Sequence, residues 1–410
     1  MPICDMPEQQ ARSPWLDRDA LPKLPTKHVI AALLALLTGS VGLAFLGSER
    51  VAWVILAVLF AYTAFFVRIP STVTMALVTA VLTVLLFGSV QLGSAVLSLT
   101  VSVSAATLLL TAGRSVILRL LTVLIPCAAS VAGILLHGDG LTALLAVAIL
   151  PAALLMTAAT LWGQNRTRAV CLTAGGFLLA AVALIGYLLW QGSTGAGMSV
   201  GAYVQHLQNQ VLQVCVQIRD ELIRLMAENN GTEMYLESLE KSLTDTYLSQ
   251  LITEFFVLTP GLLIAFCAIL AYQAHSLLNA TYYVSGLKAV LTPRVQVLTM
   301  SVISAVLYVV ATCLYLLIPG TGTVVAVAGN VCIMLLPGFG VVGARALITF
   351  TAKMKQARAL IVVAAAFLLC CNFVSVLYML SLWGASGTVT DALHRKLMEK
   401  INGGEDNDGE

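Results

Sequence analysis

Hydroxyl and amide side chains set inside long apolar runs are the residues whose chemistry asks for an explanation. The run Leu92–Ala112 carries Thr100, Ser104, Thr107 and Thr111 at steps of three and four, one face of a helix, with Ser94, Ser98 and Ser102 on another. Such hydroxyls bond the carbonyls of the preceding turn or a neighbouring helix. They also suit the lining of a pocket for a small, mostly apolar solute, which makes Ser104 and Thr107 candidate ligand-binding residues. Asn330 is a third. It shares a face with Pro337 and Gly340 in the run Val324–Phe350, deep enough that its amide needs a partner. Pro337 cannot donate a backbone hydrogen bond, so the Ile333 carbonyl loses its helical partner. Such breaks persist in lipid only where they are buried in protein or line a cavity. Pro126, Pro151 and Pro260 interrupt other runs, and Pro260, Pro337 and Gly340 are candidate hinge positions.

Other chemistry is missing from the sequence. No acid lies near the middle of an apolar run, which argues against ion-driven antiport. Arg119, Arg345 and Glu254 lie near run ends, where long side chains reach the interface. The five histidines are dispersed, and no HExxH, G-x-S-x-G or P-loop occurs. The nine cysteines contain no C-x-x-C pair, so neither a disulfide framework nor a thiolate metal site is indicated. The expectation is a non-enzyme without cofactor or metal. Nucleic acid is not an expected partner either, since the basic residues are scattered among run ends.

The elements that hold these residues are membrane helices. The chain is 59% hydrophobic and only 10% charged, with mean hydropathy +0.94, against about 25% charged residues in soluble domains. With about 20 apolar residues needed per crossing, about eleven spans are read: Val29–Leu46, Val51–Val67, Thr72–Phe87, Leu92–Ala112, Val116–Leu136, Leu141–Trp162, Ala169–Trp190, Phe255–His275, Val295–Leu317, Val324–Phe350 and Ala359–Trp383. The fold class is all-α and polytopic. The polar, mixed-charge residues 1–28 do not read as a cleavable signal peptide and form a cytoplasmic segment. Residues 29–190 form an N-terminal membrane domain, 255–383 a C-terminal one, and 384–410 a polar, partly disordered tail. Within that tail, 388–401 suits a short amphipathic helix. The short loops that carry Lys and Arg fall mostly on one side, which places the N-terminus in the cytoplasm. Arg50 in the first short loop, and Arg395, Lys396 and Lys400 close after the last span, depart from that pattern.

Between the membrane domains lies the polar stretch 191–254, expected outside the cytoplasm. From Val204 its apolar positions run Leu207, Val211, Val214/Cys215, Ile218, Leu222 and Leu225, a helical stripe. Asn229-Asn230-Gly231 supplies a stop. A second helix from near Thr232, with Leu236, Leu239, Leu243 and Tyr247 on its buried face, would complete an antiparallel hairpin. In the first span Ala31, Ala35 and Gly39, with Gly42 beside them, form a ridge of small residues that allows close helix approach, a candidate partner contact.

This order of parts resembles the uncharacterised bacterial YybS-like membrane proteins. The local match is Leu258-Thr259-Pro260-Gly261-Leu262-Leu263 followed by Tyr272, and Gly329-Asn330 through Pro337-Gly338-Phe339-Gly340. That family is distantly similar to the substrate-binding subunits of energy-coupling factor transporters, whose first helix carries an Ala-x-x-x-Ala contact ridge, a spacing that Ala31 and Ala35 match. The resemblance implies a transporter-type, solute-binding subunit in the lipid bilayer, working with an energising ATPase complex or another membrane protein. The alternative reading is a non-transporting envelope scaffold or regulator acting through the polar stretch and tail.

Overall fold

A computed structural model describes residues 24–64, 88–113, 115–137, 140–228, 241, 243–287, 298–318, 322–353 and 373–402. These form helices and no strand: α1 (Thr26–Ala44), α2 (Glu49–Tyr62), α3 (Val90–Ala112), α4 (Val116–His137), α5 (Gly140–Val147), α6 (Ile149–Leu161), α7 (Arg166–Ala196), α8 (Val200–Glu228), α9 (Asp245–Val284), α10 (Val302–Leu317), α11 (Thr323–Lys353) and α12 (Phe373–Asn402). Among the described residues, seven helical segments are long and apolar enough to cross a bilayer, and α10 is a shorter apolar helix. Their outward faces are greasy. On α4 alone Val116, Ile117, Leu120, Leu124, Leu135 and Leu136 are each more than half exposed. Soluble proteins rarely leave so much contiguous apolar surface in water. The chain is therefore a membrane protein.

Several boundaries differ from those expected. The span at Leu141–Trp162 is divided at Ala148 into α5 and α6. Pro151 explains the division, because its ring would collide with the Val147 carbonyl in a continuous helix, whereas a proline is tolerated in the first turn of a new one. Helix α7 passes Trp190 and ends only at Gly197, whose φ of 64° suits the left-handed cap. Helix α9 starts at Asp245, capped by the Thr244 hydroxyl, and does not stop at His275. It ends beyond Val284 where Gly286 adopts φ 78° and the Leu287 amide donates back to the Tyr282 carbonyl. Two membrane helices thus extend into the ends of the polar stretch. Helix α12 runs unbroken through Gly384 into the tail as far as Asn402. The third expected span, Thr72–Phe87, and the stop at 229–231 lie outside the described residues. So do Leu236 and Leu239. Leu243 stands in a bend ahead of α9, and Tyr247 belongs to α9 itself.

The chain divides into two compact units: Met1–Leu184 with Phe266–Thr299, and Ile185–Ala265 with Met300–Glu410. In the first unit α3 is the central helix. Eighteen of its residues are buried, among them Leu97, Val101, Val103, Leu108 and Leu109. Helix α1 lies on α3 through its small residues: a Cβ on Gly39 would collide with Ser102, and one on Gly42 would meet Ile55 and Ser98. Helix α7 crosses α6 at Gly176, where a Cβ would come within 2.6 Å of the Ala152 Cα.

The second unit packs α10, α11 and α12 around Tyr308, Cys332, Phe339 and Ala385. Helices α11 and α12 meet backbone to backbone, since a Cβ on Gly343 would strike the Leu380 carbonyl and one on Gly384 the Phe339 carbonyl. Such small-residue crossings are how membrane helices gain packing without a hydrophobic driving force.

Candidate functional site

The densest polar chemistry in the first unit sits where the start of α7 meets the second half of α9. Arg166 opens α7. Its Nη2 donates to the Ser276 hydroxyl at 2.9 Å, and its guanidinium lies 4.9 Å from the centroid of the Tyr272 ring. A guanidinium over an aromatic face gains from the ring quadrupole, more so when water is excluded. Two turns further on, Thr173 donates to the Ala169 carbonyl at 2.9 Å and stands 2.9 Å from His275 Nε2. The Thr173 hydroxyl thus bridges the Ala169 carbonyl and the His275 ring. The chain around 299 is fastened to α7 by a reciprocal pair: Thr167 Oγ1 donates to the Thr299 carbonyl and accepts from the Thr299 amide.

Gln273 completes this region. It is 2% exposed, and neither its Oε1 nor its Nε2 has a hydrogen-bond partner. A buried amide without partners costs about 1–3 kcal/mol. Ser276 lies three residues further along α9, on the adjoining face.

The second unit holds a separate polar arrangement. Asn330 Oδ1 accepts from the Gly261 amide at 2.6 Å, while its Nδ2 donates to the carbonyls of Val257 at 2.9 Å and Ala326 at 2.8 Å. Nearby, the buried Cys332 thiol lies 3.3 Å from the Thr312 hydroxyl and 3.8 Å from that of Tyr378. Tyr308 and Ser381 share a 2.7 Å hydrogen bond, and the Tyr315 hydroxyl donates to Glu254 at 2.7 Å. In the polar stretch Arg219 binds Asp220, Asp245 and the Leu243 carbonyl. These bonds tie α8 to the start of α9 and hold the guanidinium pKa above its usual value.

The candidate residues read from the sequence fall into different roles. Thr107 is fully buried and donates to the Val103 carbonyl of its own helix at 2.8 Å. Ser104 is buried on the same helix. Thr100 and Thr111 likewise bond carbonyls a turn earlier, so this hydroxyl face is packing surface within the unit. Ala31, Ala35 and Gly39 are buried too, and Gly39 lies against Ser98 and Ser102 of α3 in the same chain. Helices α9 and α11 continue through Pro260 and Pro337. Gly340 lies close to Leu377. Among the described residues, no three His, Cys, Asp or Glu side chains gather as a metal site would need.

With the eighth span read as Phe255–His275, Gln273, His275 and Ser276 fall at a span end, and Arg166 falls in the short loop between the sixth and seventh spans, where such residues attract no notice. The signal was present: four polar residues in the five from Tyr272 to Ser276, placed well before the next helix stop at Gly286. Comparison with known proteins returned no matching family model, no matching curated protein and no matching solved structure.

Proposed function

We propose that this chain is a multi-pass protein of the bacterial cytoplasmic membrane that acts as a transporter-type, solute-binding subunit with partner proteins supplying energy. In this reading it crosses the bilayer about eleven times, with the N-terminus cytoplasmic and residues 191–254 outside as a helical hairpin that begins with α8. The resemblance to YybS-like proteins belongs to the same proposal. The observation that carries it is Gln273, a carboxamide 2% exposed with both polar atoms unpartnered, three residues before the Ser276 that binds Arg166. Polar groups in that condition in a membrane interior are expensive, and a ligand that satisfies them would account for their being kept. The reading is tested by native mass spectrometry of gently extracted protein. It predicts a bound metabolite released on activation, or an ATPase that co-purifies; recovery of neither contradicts it.

One observation favours a second reading, a non-transporting envelope scaffold. Helix α8 has no buried residue, and Val211, Val214, Ile218, Leu222 and Leu225 along it are each at least 41% exposed. Deleting 204–247 separates the two. A scaffold loses its partner, whereas solute binding in the first unit survives.

A further inference from the structure

Helix α8 presents two neighbouring faces with different surroundings. Val211, Val214, Ile218, Leu222 and Leu225 are exposed, while the residue after each of them, Leu212, Cys215, Arg219, Ile223 and Met226, is half-buried. One residue turns the helix by about 100°, so the exposed stripe lies beside the covered one. The chain makes a contact of its own through the covered face, where Arg219 binds the Leu243 carbonyl and Asp245 at the start of α9. The stripe from Val211 to Leu225 is left open. Its spacing is that of a coiled-coil seam. Val204, Val211 and Ile218 recur every seven residues, with Leu207 and Val214 at the alternate position between them. β-Branched residues at the first of these positions favour two parallel strands when leucine stands at the second; Leu207 meets that condition and Val214 keeps the seam apolar. After Ile218 the alternate position is Glu221, held by Arg224, and the apolar line continues one residue on at Leu222.

Charge narrows what can cover this stripe. The Arg, Asp and Glu side chains of α8, namely Arg219, Asp220, Glu221, Arg224 and Glu228, are all in ion pairs within the chain. An anionic lipid surface draws amphipathic helices rich in Lys and Arg on the polar face; α8 has two arginines, both already paired with acids. A charged partner would likewise have to break those pairs. The residues flanking the seam, Gln208, Gln210, Cys215 and Gln217, are uncharged, so two copies of the stripe can meet with no like charges opposed there. We propose that the stripe from Val211 to Leu225 pairs in parallel with the same stripe of a second copy of this chain. Copies inserted in one bilayer with one orientation present α8 on the same side of it. Confinement there raises the effective concentration at which so short a seam can pair. The pairing goes beyond solute binding and is independent of whether the first unit holds a ligand.

The test uses the full-length protein in native membranes, with its nine cysteines replaced and a single cysteine returned at Val211, at Ile218 or at Gln213, the last turned away from the stripe. A disulfide needs Cα atoms about 4.4–6.8 Å apart, which a parallel seam supplies at equivalent positions along its whole length. Under mild oxidation Val211→Cys and Ile218→Cys are each expected to give a disulfide-linked dimer, and Gln213→Cys to stay monomeric. A second measurement needs no cysteine-free chain. In lipid nanodiscs the wild type is expected to give a dimer by native mass spectrometry. The variant carrying Ile218→Asp and Leu222→Asp, two positions exposed in the single chain, is expected to give a monomer of unchanged helicity by circular dichroism. A monomeric wild type overturns the proposal, as does a dimer that survives the two aspartates. So does linking at only one of Val211 and Ile218, or equal linking at Gln213. An intramolecular disulfide between Ile218→Cys and Leu236→Cys would assign the stripe to the chain's own segment 229–240. Quenching of a fluorophore at position 218 by brominated lipid would assign it to the bilayer surface. Either result overturns the pairing of copies.

Discussion

The carboxamide of Asn330 bridges the pair of backbone groups, Val257 O and the Gly261 amide, that would bond to each other in an uninterrupted α9. The reason lies one residue earlier. Pro260 has no N–H, and its ring pushes away the Phe256 carbonyl, opening the helix at this turn. A side chain from α11 fills the opening with a donor and an acceptor. Gly261 lets it come close, because a Cβ there would lie 2.8–2.9 Å from Asn330 atoms.

Removing that bridge is therefore predicted to matter only while the proline is present. Asn330→Leu is expected to cost about 1–2 kcal/mol, given roughly 0.6 kcal/mol for an average interhelical bond in a membrane plus the exposed backbone groups. In a Pro260→Ala background the same substitution is expected to cost less than half as much. A double-mutant cycle on unfolding in mixed micelles measures the coupling. Strictly additive effects contradict the bridge.

Gly384 and Gly387 make a matched pair on α12. An alanine methyl at Gly384 would strike the Phe339 carbonyl, whereas nothing lies within 4 Å of the corresponding position at Gly387. Gly384→Ala is expected to destabilise by about 1–3 kcal/mol through forced separation of α11 and α12. Gly387→Ala is expected to be neutral or to gain up to about 1 kcal/mol of helix propensity. Melting temperatures of the two variants in one detergent decide it.

How far the sequence reveals this arrangement depends on the kind of signal. Apolar runs mark the helices well, because length and hydropathy alone select Val90–Ala112 or Val116–Leu136. The demand of Asn330 for a partner is also legible, since an amide deep in an apolar run must be satisfied. Where helices end is less so. Trp190 and His275 look like interfacial residues, yet no cap follows either, and the helices proceed to Gly197 and Gly286. That single shift at His275 hides Gln273 and the Arg166–Ser276 bond, because polar residues at a span end attract no notice. The small residues of α1 and the hydroxyls of α3 are visible as patterns, but spacing cannot say whether a neighbour belongs to the same chain.

Ser40, Ser98 and Ser102 are buried at the packing of α1 and α3 without a hydrogen-bond partner for any of their hydroxyls. Ser102→Ala is expected to raise stability by about 1 kcal/mol by removing a desolvated group. A fall in melting temperature would mean that the hydroxyl has a role in the folded protein.

Arg219 is expected to act as a local tether. Arg219→Ala should quicken backbone hydrogen exchange at 243–247, with little change elsewhere. Because its pKa is raised, the contribution of the charged guanidinium is fully present below the ordinary arginine range and is lost only above it. Exchange protection there, corrected for intrinsic rates, should therefore not weaken between pH 7 and 9. Protection that falls over that interval contradicts the pairing.

The central claim is that apolar helices cross a bilayer and leave the polar stretch outside. Cys215 lies on α8 and is partly accessible. In a variant that keeps it as the sole cysteine, a membrane-impermeant maleimide applied to intact spheroplasts is predicted to label it as fully as after permeabilisation. Labelling that appears only once the membrane is opened would place α8 on the cytoplasmic side and contradict the account.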